Sequence, residues 1–182
     1  MPTISSPPYL IHSLLEPRPN FEHPLDPAAR RQQLSLGLRT GLTRTGVHLC
    51  RLEPQMESTI LHWHTADDEW LYIISCGPNA SIIVHETSDE GKDEVKEVPL
   101  QTGDFLGFPA GMRTARKLFS GDVDMQYLVG GSREPVDVVH YPTLGKRLVL
   151  DRTGSGSSWW VDTANAQDRK KTVFDSTLDS LK

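Results

Sequence analysis

Short apolar runs separated by turn-forming clusters set the tightest limit on what this chain can fold into. The clusters are Cys76-Gly77-Pro78-Asn79, Ser88 to Asp93, Gln101-Thr102-Gly103-Asp104, Pro109-Ala110-Gly111, Ser120-Gly121 and Gly130-Gly131. Between them, residues alternate apolar and polar or are rich in β-branched and aromatic types, which is strand grammar. Thirteen prolines and fourteen glycines in 182 residues fit many turns and many short strands. Strands at roughly 8 to 12 residue spacing predict an all-β sandwich or barrel. The expected strands are 41–52, 59–64, 69–75, 81–87, 94–100, 105–108, 114–119, 122–129, 136–141 and 147–150. Of these, 81–87 and 94–100 are expected to form one hairpin, and 114–119 and 122–129 another around Ser120-Gly121.

The ends of the chain read differently. Residues 1–40 predict an N-terminal arm with one helical turn near Tyr9 to Glu16. A short helix is expected from Asp26-Pro27, an N-cap followed by proline at the first helical position, ending by Gly37. Residues 41–130 predict the barrel core, and 131–182 a C-terminal extension packing on it. In that extension Trp159-Trp160-Val161 is an apolar anchor and 170–181 a surface helix.

Within the core, His62-Trp63-His64 and Glu69 concentrate the chemistry. Side chains two apart on a strand share a face, so His62 and His64 look to one place while Trp63 looks away. Glu69 opens the next strand after the turn at Thr65 to Asp68 and can aim at the same place. Two imidazoles and one carboxylate suit non-haem iron, zinc or manganese. Asp67 and Asp68 are expected to form a solvated turn. His48, His85 and His140 are lone strand histidines, with His140 the best of them as a replacement ligand. Phe105, Phe108, Met125 and Tyr127 are expected to line the core or the pocket wall.

With the turn at Gly103-Asp104 added, the chain resembles the cupin superfamily. Its first motif is G-x5-H-x-H-x3,4-E-x6-G. His62, His64 and Glu69 fit it, Met56 stands at the leading glycine, and Cys76 at the closing one. Gly103, Pro109 and Gly111 fit the second motif, G-x5-P-x-G-x2-H-x3-N, in which Thr114 takes the histidine position and Leu118 the asparagine position. The text around the motifs is most similar to small single-domain cupins of unassigned function. There a longer loop would put Arg116-Lys117 at the histidines and Ser120 at the asparagine. Gly131-Ser132-Arg133, Asp137 and Tyr141-Pro142 are similar to that group's C-terminal extension. The resemblance implies an all-β double-stranded β-helix, a jelly-roll cupin barrel.

It also implies a metal set that lacks one ligand, because the second-motif histidine is absent. Two readings follow. In one, a divalent metal (Fe, Zn or Mn) sits on His62, His64 and Glu69, and the chain is a metal-dependent cupin enzyme acting on a small organic molecule inside the barrel. In the other, Arg116 points inward, pairs with Glu69 and replaces the metal charge in a metal-free binding protein. Arg116 is also the candidate to grip a substrate carboxylate or enolate; alternation sends Arg113 and Lys117 to the other face. No nucleotide cofactor is expected.

Composition limits the partners. A net charge of −5 argues against nucleic acid or an anionic membrane as the main partner. No apolar run approaches the roughly 20 residues of a membrane span. The first residues lack a signal peptide's basic region and apolar run. Cys50 and Cys76 give no disulfide framework, so the cytoplasm is expected. In 69–75, Leu71 and Ile73 face inward with Glu69. Trp70, Tyr72 and Ile74 then face outward and need cover from a second layer or a second copy, so a homodimer is expected.

Overall fold

The alternation in 69–75 is realised as strand Glu69–Ser75, with Leu71 and Ile73 buried and Tyr72 and Ile74 exposed. A computed structural model of the protein describes residues 7–87 and 93–166. The helix expected at 170–181 and most of the loop after Thr87 lie outside the described residues. Among the described residues, thirteen strands follow in chain order. They are β1 (Asn20–His23), β2 (Asp26–Ser35), β3 (Thr45–Leu52), β4 (Trp63–His64), β5 (Glu69–Ser75), β6 (Ser81–Thr87) and β7 (Asp93–Pro99). The rest are β8 (Phe105–Phe108), β9 (Thr114–Phe119), β10 (Met125–Ser132), β11 (Val136–Tyr141), β12 (Lys146–Asp151) and β13 (Ser157–Asp162). One four-residue helix, α1 (Leu36–Arg39), joins β2 to β3.

The strands form three antiparallel sheets with orders β1-β2-β3-β10-β5-β8, β7-β6-β9 and β13-β12-β11-β4. The six-stranded sheet faces the three-stranded one across the main core. Cys50, Leu52, Ile73, Met125 and Tyr127 meet Ile82, Val84 and Leu118 there. A second core joins Ala29 of β2 to Val139 and Tyr141 of β11, with Leu148, Leu150 and Trp160 packed against it. This is the nearly all-β architecture that the turn cadence predicts, and the jelly roll that the resemblance implies.

The helix expected from Asp26 is a strand. β2 pairs with β1 on one side and with β3 on the other, and Ala29 and Leu34 along it are buried. Two ladders of backbone hydrogen bonds and a buried face outweigh the weak helix preference of Ala, Arg and Gln. The helical turn expected near Tyr9 to Glu16 is also absent. Two isolated turns, Leu10 N to Pro7 O and Leu15 N to His12 O, take its place. Segment 59–64 is extended only at its end, in β4.

The second expected hairpin is a corner between sheets. β9 pairs with β6, whereas β10 pairs with β3 and β5. Ser120, fully buried, ties the corner down: its Oγ donates to Glu53 O and accepts from Met56 N. Gly121 has φ +70, and a Cβ there would meet the backbone of Pro78, Asn79 and Ala80 at about 2.5 Å. Only glycine fits a turn that is both left-handed and pressed against another chain segment. The hairpin of β6 and β7 forms as expected. Phe105 departs from expectation: it is 66% exposed and stacks on Trp70 on the outer face of the sheet.

Candidate functional site

The site is built where the chain runs between two sheets. Arg116 N donates to His62 O, tying His62 to β9. One residue later β4 pairs with β11, setting His64 opposite Val139 and Trp63 opposite His140. Both imidazoles face inward with ring centroids 5.2 Å apart. Trp63 turns away and stacks on His140 at 3.7 Å. Glu69 enters from β5, opposite Phe108 of β8 and Gly131 of β10. His62, His64, Glu69 and Arg116 thus meet at one place from three strand regions, the 62–64 segment, β5 and β9.

Hydrogen bonds fix which ring nitrogens point at the centre. His62 Nδ1 lies 2.8 Å from Ile60 O, and His64 Nδ1 lies 2.7 Å from Asp137 Oδ2. A carbonyl and a carboxylate only accept, so each Nδ1 is the donor. In neutral rings the Nε2 atoms therefore carry the lone pairs. These two atoms lie 3.9 and 3.8 Å from Glu69 Oε1. Burial pushes His62 down to about 3 even though Glu69 pulls the other way, so it is neutral at pH 7. Three lone-pair atoms within 4.8 Å of one another, sheltered from water, leave room and charge demand for a cation. Two nitrogens and one oxygen could hold zinc, iron(II) or manganese(II).

Arg116, 3% exposed, does point inward. Its Nε and Nη2 lie 2.8 and 2.6 Å from Glu69 Oε2, and its guanidinium lies 4.5 Å over the Phe108 ring. The N–H bonds of Nη2 are not aligned with any acceptor, so Nε makes the hydrogen bond and Nη2 contributes proximity of charge. Both nitrogens address one oxygen. No fork across both carboxylate oxygens is formed, and Oε1 stays turned to the histidines. Burial would raise the Glu69 carboxyl, but Arg116 and the two histidines together outweigh it and hold it at about 2.

Asp137 and Tyr141 complete the site and lie beyond what the ligand motif marks. Asp137, 1% exposed, orients His64 and accepts from Ala66 N at 2.8 Å. Burial would raise its carboxyl, yet these hydrogen bonds hold it at about 2. A lone carboxylate among the valines of Val136-Asp137-Val138-Val139 was the available signal, since a buried acid needs a partner. Tyr141 stacks on His62 at 5.7 Å, and its hydroxyl lies 3.5 Å from His23 Nε2. Asp67 also departs from expectation. It is 5% exposed and takes Arg152 Nη2 at 2.7 Å and Glu134 N at 2.8 Å. Asp68 caps Ala110 N. His140 faces Thr65 rather than the site.

Replacing Asp137 with asparagine is expected to weaken divalent-metal binding by about 10- to 100-fold, the usual loss when an outer-sphere carboxylate partner is removed. Calorimetric titration measures this; an unchanged dissociation constant would separate Asp137 from the site. Acid should destabilise the metal-free protein. Unfolded, His62 takes up a proton near 6.5, while folded it resists to about 3. The unfolded state therefore binds more protons in that window, and stability falls as pH drops from 6.5. Glu69 and Asp137 act in the same direction, from 4.5 and 3.8 down to about 2. Urea midpoints should be level above pH 6.5 and fall more steeply below 4.5. A midpoint that rises between pH 7 and pH 5 would contradict these assignments.

No family model matches the chain, and no curated protein matches it. Solved structures do. A protein provisionally named a sugar phosphate isomerase, from Acidithiobacillus ferrooxidans, aligns at 29% identity and TM-score 0.73 over 90% of this chain and 98% of its own. A sugar phosphate isomerase from a cupin superfamily, from Silicibacter pomeroyi, aligns at 28% identity and TM-score 0.68 over 89% of this chain and 97% of its own.

Proposed function

We propose that this chain, whose fold is that of the cupin superfamily, is a metal-dependent enzyme acting on a small oxygen-bearing organic molecule within the barrel. The observation that carries the reading is the convergence of His62 Nε2, His64 Nε2 and Glu69 Oε1. Each ring is turned by a hydrogen bond at its far nitrogen, and Glu69 by Arg116 at its other oxygen. A divalent cation there would act as a Lewis acid on a substrate carbonyl or enolate oxygen. The protein's own residues do the positioning. Asp137 holds the His64 ring, Ile60 O holds the His62 ring, and Tyr141 covers its face. Arg116 keeps Glu69 ionised and cancels its charge.

The two solved structures bear sugar phosphate isomerase names and match this chain nearly end to end. That supports an enzyme and makes isomerisation of a hydroxy-carbonyl compound the reaction to assay first. The test of the site is metal content. Protein purified without chelator should hold about one divalent ion per chain, and stripped protein should rebind Zn(II), Mn(II) or Fe(II) with one-site heats. If no ion binds, the second reading stands. In it Arg116 already supplies the positive charge beside Glu69, 2.6 Å away, and ligand binding is indifferent to chelator.

The same reading places the protein in the cytoplasm as a homodimer. Tyr72 and Ile74 are 41% and 39% exposed on β5 beside Phe105, and a second copy would cover them. Light scattering at micromolar concentration should return twice the chain mass; the mass of one chain would remove the dimer.

A further inference from the structure

The cavity above the site has a volume of about 420 Å³, large enough for a ligand well beyond a bare chelating group. Its walls differ sharply from its floor. The floor holds His62, His64, Glu69 and Arg116. The walls are Tyr127 and Val129 of β10 on one side, and Tyr141, Leu148, Leu150 and Trp160 of the four-stranded sheet on the other.

Three cationic residues reach this cavity, and each is already engaged. Arg31 donates to Ser58 O at 2.7 Å and to Gln33 Oε1 at 2.8 Å, with its guanidinium over Phe21. Lys117 Nζ pairs with Glu57 Oε1 at 2.6 Å. Arg116 is held by Glu69. His23 and His48 also face the cavity, and burial aided by Arg31 lowers both, so neither adds a charge near pH 7. Among the described residues no helix lines the cavity, so no helix N-terminus offers backbone N–H groups to a phosphate. Sugar hydroxyls fare little better along Val129, Leu148 and Leu150, which cannot replace their hydrogen bonds to water; of the hydroxyl side chains that line the cavity, Ser58 already accepts from Leu118 N and Tyr141 lies against His23, which leaves Thr59 and Tyr127. The floor is different. Arg116 and Glu69 cancel, so a divalent cation would leave the floor at a formal charge of +2, suited to one anionic oxygen-bearing head.

We infer that the ligand is a molecule with an apolar, aromatic-sized body and a single vicinal dioxygen head, as in an aryl-substituted 2-oxo acid, and not a sugar phosphate. This rests on the metal reading for the head and on the walls alone for the body. The test is binding of phenylpyruvate, pyruvate and fructose 6-phosphate to metal-loaded protein by calorimetry, with intrinsic tryptophan fluorescence, to which Trp160 of the wall contributes, as a second readout. Phenylpyruvate should bind about 10- to 100-fold more tightly than pyruvate, from the extra apolar area buried, and fructose 6-phosphate should give no heat. Val129→Phe fills the wall, so it should weaken phenylpyruvate at least tenfold and leave metal stoichiometry at wild-type level. Equal affinities for phenylpyruvate and pyruvate, tighter binding of fructose 6-phosphate, no binding of any probe, or indifference to Val129→Phe would each overturn the inference.

Metal stoichiometry of the same sample separates the two claims. Metal bound with the sugar phosphate preferred sinks this inference and leaves the metal reading standing. If no metal binds, the metal reading fails. The body preference is then read with uncharged heads, 1-phenyl-1,2-propanedione against 2,3-butanedione. A tenfold preference for the phenyl compound supports the apolar wall, and none overturns it.

Discussion

His62→Ala is expected to lose stoichiometric metal and, with it, catalysis. Removing an outer partner of a ligand usually costs 10- to 100-fold in metal affinity, so removing one of three direct ligands should cost more than about 100-fold. The metal-free variant should still fold. His62 is largely shielded, with a single side-chain hydrogen bond, to Ile60 O, and its Nε2 lone pair faces Glu69 Oε1 without a proton between them. Alanine removes that opposition together with the stacking on Tyr141, so the two effects partly offset. Elemental analysis paired with a thermal melt of chelator-treated protein gives the decisive contrast. Lost metal with a near wild-type melt identifies a ligand. Lost stability with unchanged metal content identifies a packed core histidine and removes the ligand set.

The legible parts of the molecule are those where the local pattern and the tertiary contacts ask for the same thing. Leu71 and Ile73 alternate with Tyr72 and Ile74 because one face of β5 is core and the other is not, and a period of two carries that directly. His62, His64 and Glu69 are readable for the same reason, since their spacing is a statement about one strand and one turn. Residues 26–35 read as helix because Asp-Pro-Ala-Ala-Arg-Arg is good helix text, while the force that makes them a strand lies in β1 and β3. No local signal encodes that pairing. The corner at Ser120-Gly121 looks like a hairpin turn because glycine serves both. What distinguishes them is the Pro78-Asn79 backbone lying about 2.5 Å from a would-be Cβ. Asp137 is visible as an acid in an apolar strand and as part of the resemblance of the C-terminal extension, with no sign of its role, and Asp67 only as part of an acidic turn. Their partners His64 and Arg152 are 73 and 85 residues away.

Arg116→Met separates the roles of the arginine and the metal. Arg116 is buried, and Nε and Nη2 sit on a carboxylate that is itself largely shielded. Methionine follows the arginine side chain only as far as Nε, so it leaves Glu69 charged and unpaired and also gives up the guanidinium's contact with Phe108. Breaking one side of a buried ion pair costs about 3–5 kcal/mol. At about 2–4 °C per kcal/mol for a chain of this size, the metal-free melt should fall by roughly 6–20 °C at pH 7. A divalent ion on the two histidines and Oε1 would restore the missing positive charge. At about a thousandfold excess over its dissociation constant, it would return about 4 kcal/mol, most of the loss. Recovery of the melt by Zn(II) or Mn(II), absent for Mg(II), which suits all-oxygen sites better, is therefore the expected result. If Arg116 stands in for a metal that never binds, no ion recovers the melt. The double variant Arg116→Met with Glu69→Gln completes the cycle. Removing both charges should cost less than removing the arginine alone, because no uncompensated ion remains. Its recovery by metal should shrink or vanish, because Oε1 no longer offers a carboxylate. A double variant no more stable than Arg116→Met would mean that the arginine matters for its packing on Phe108 rather than for Glu69.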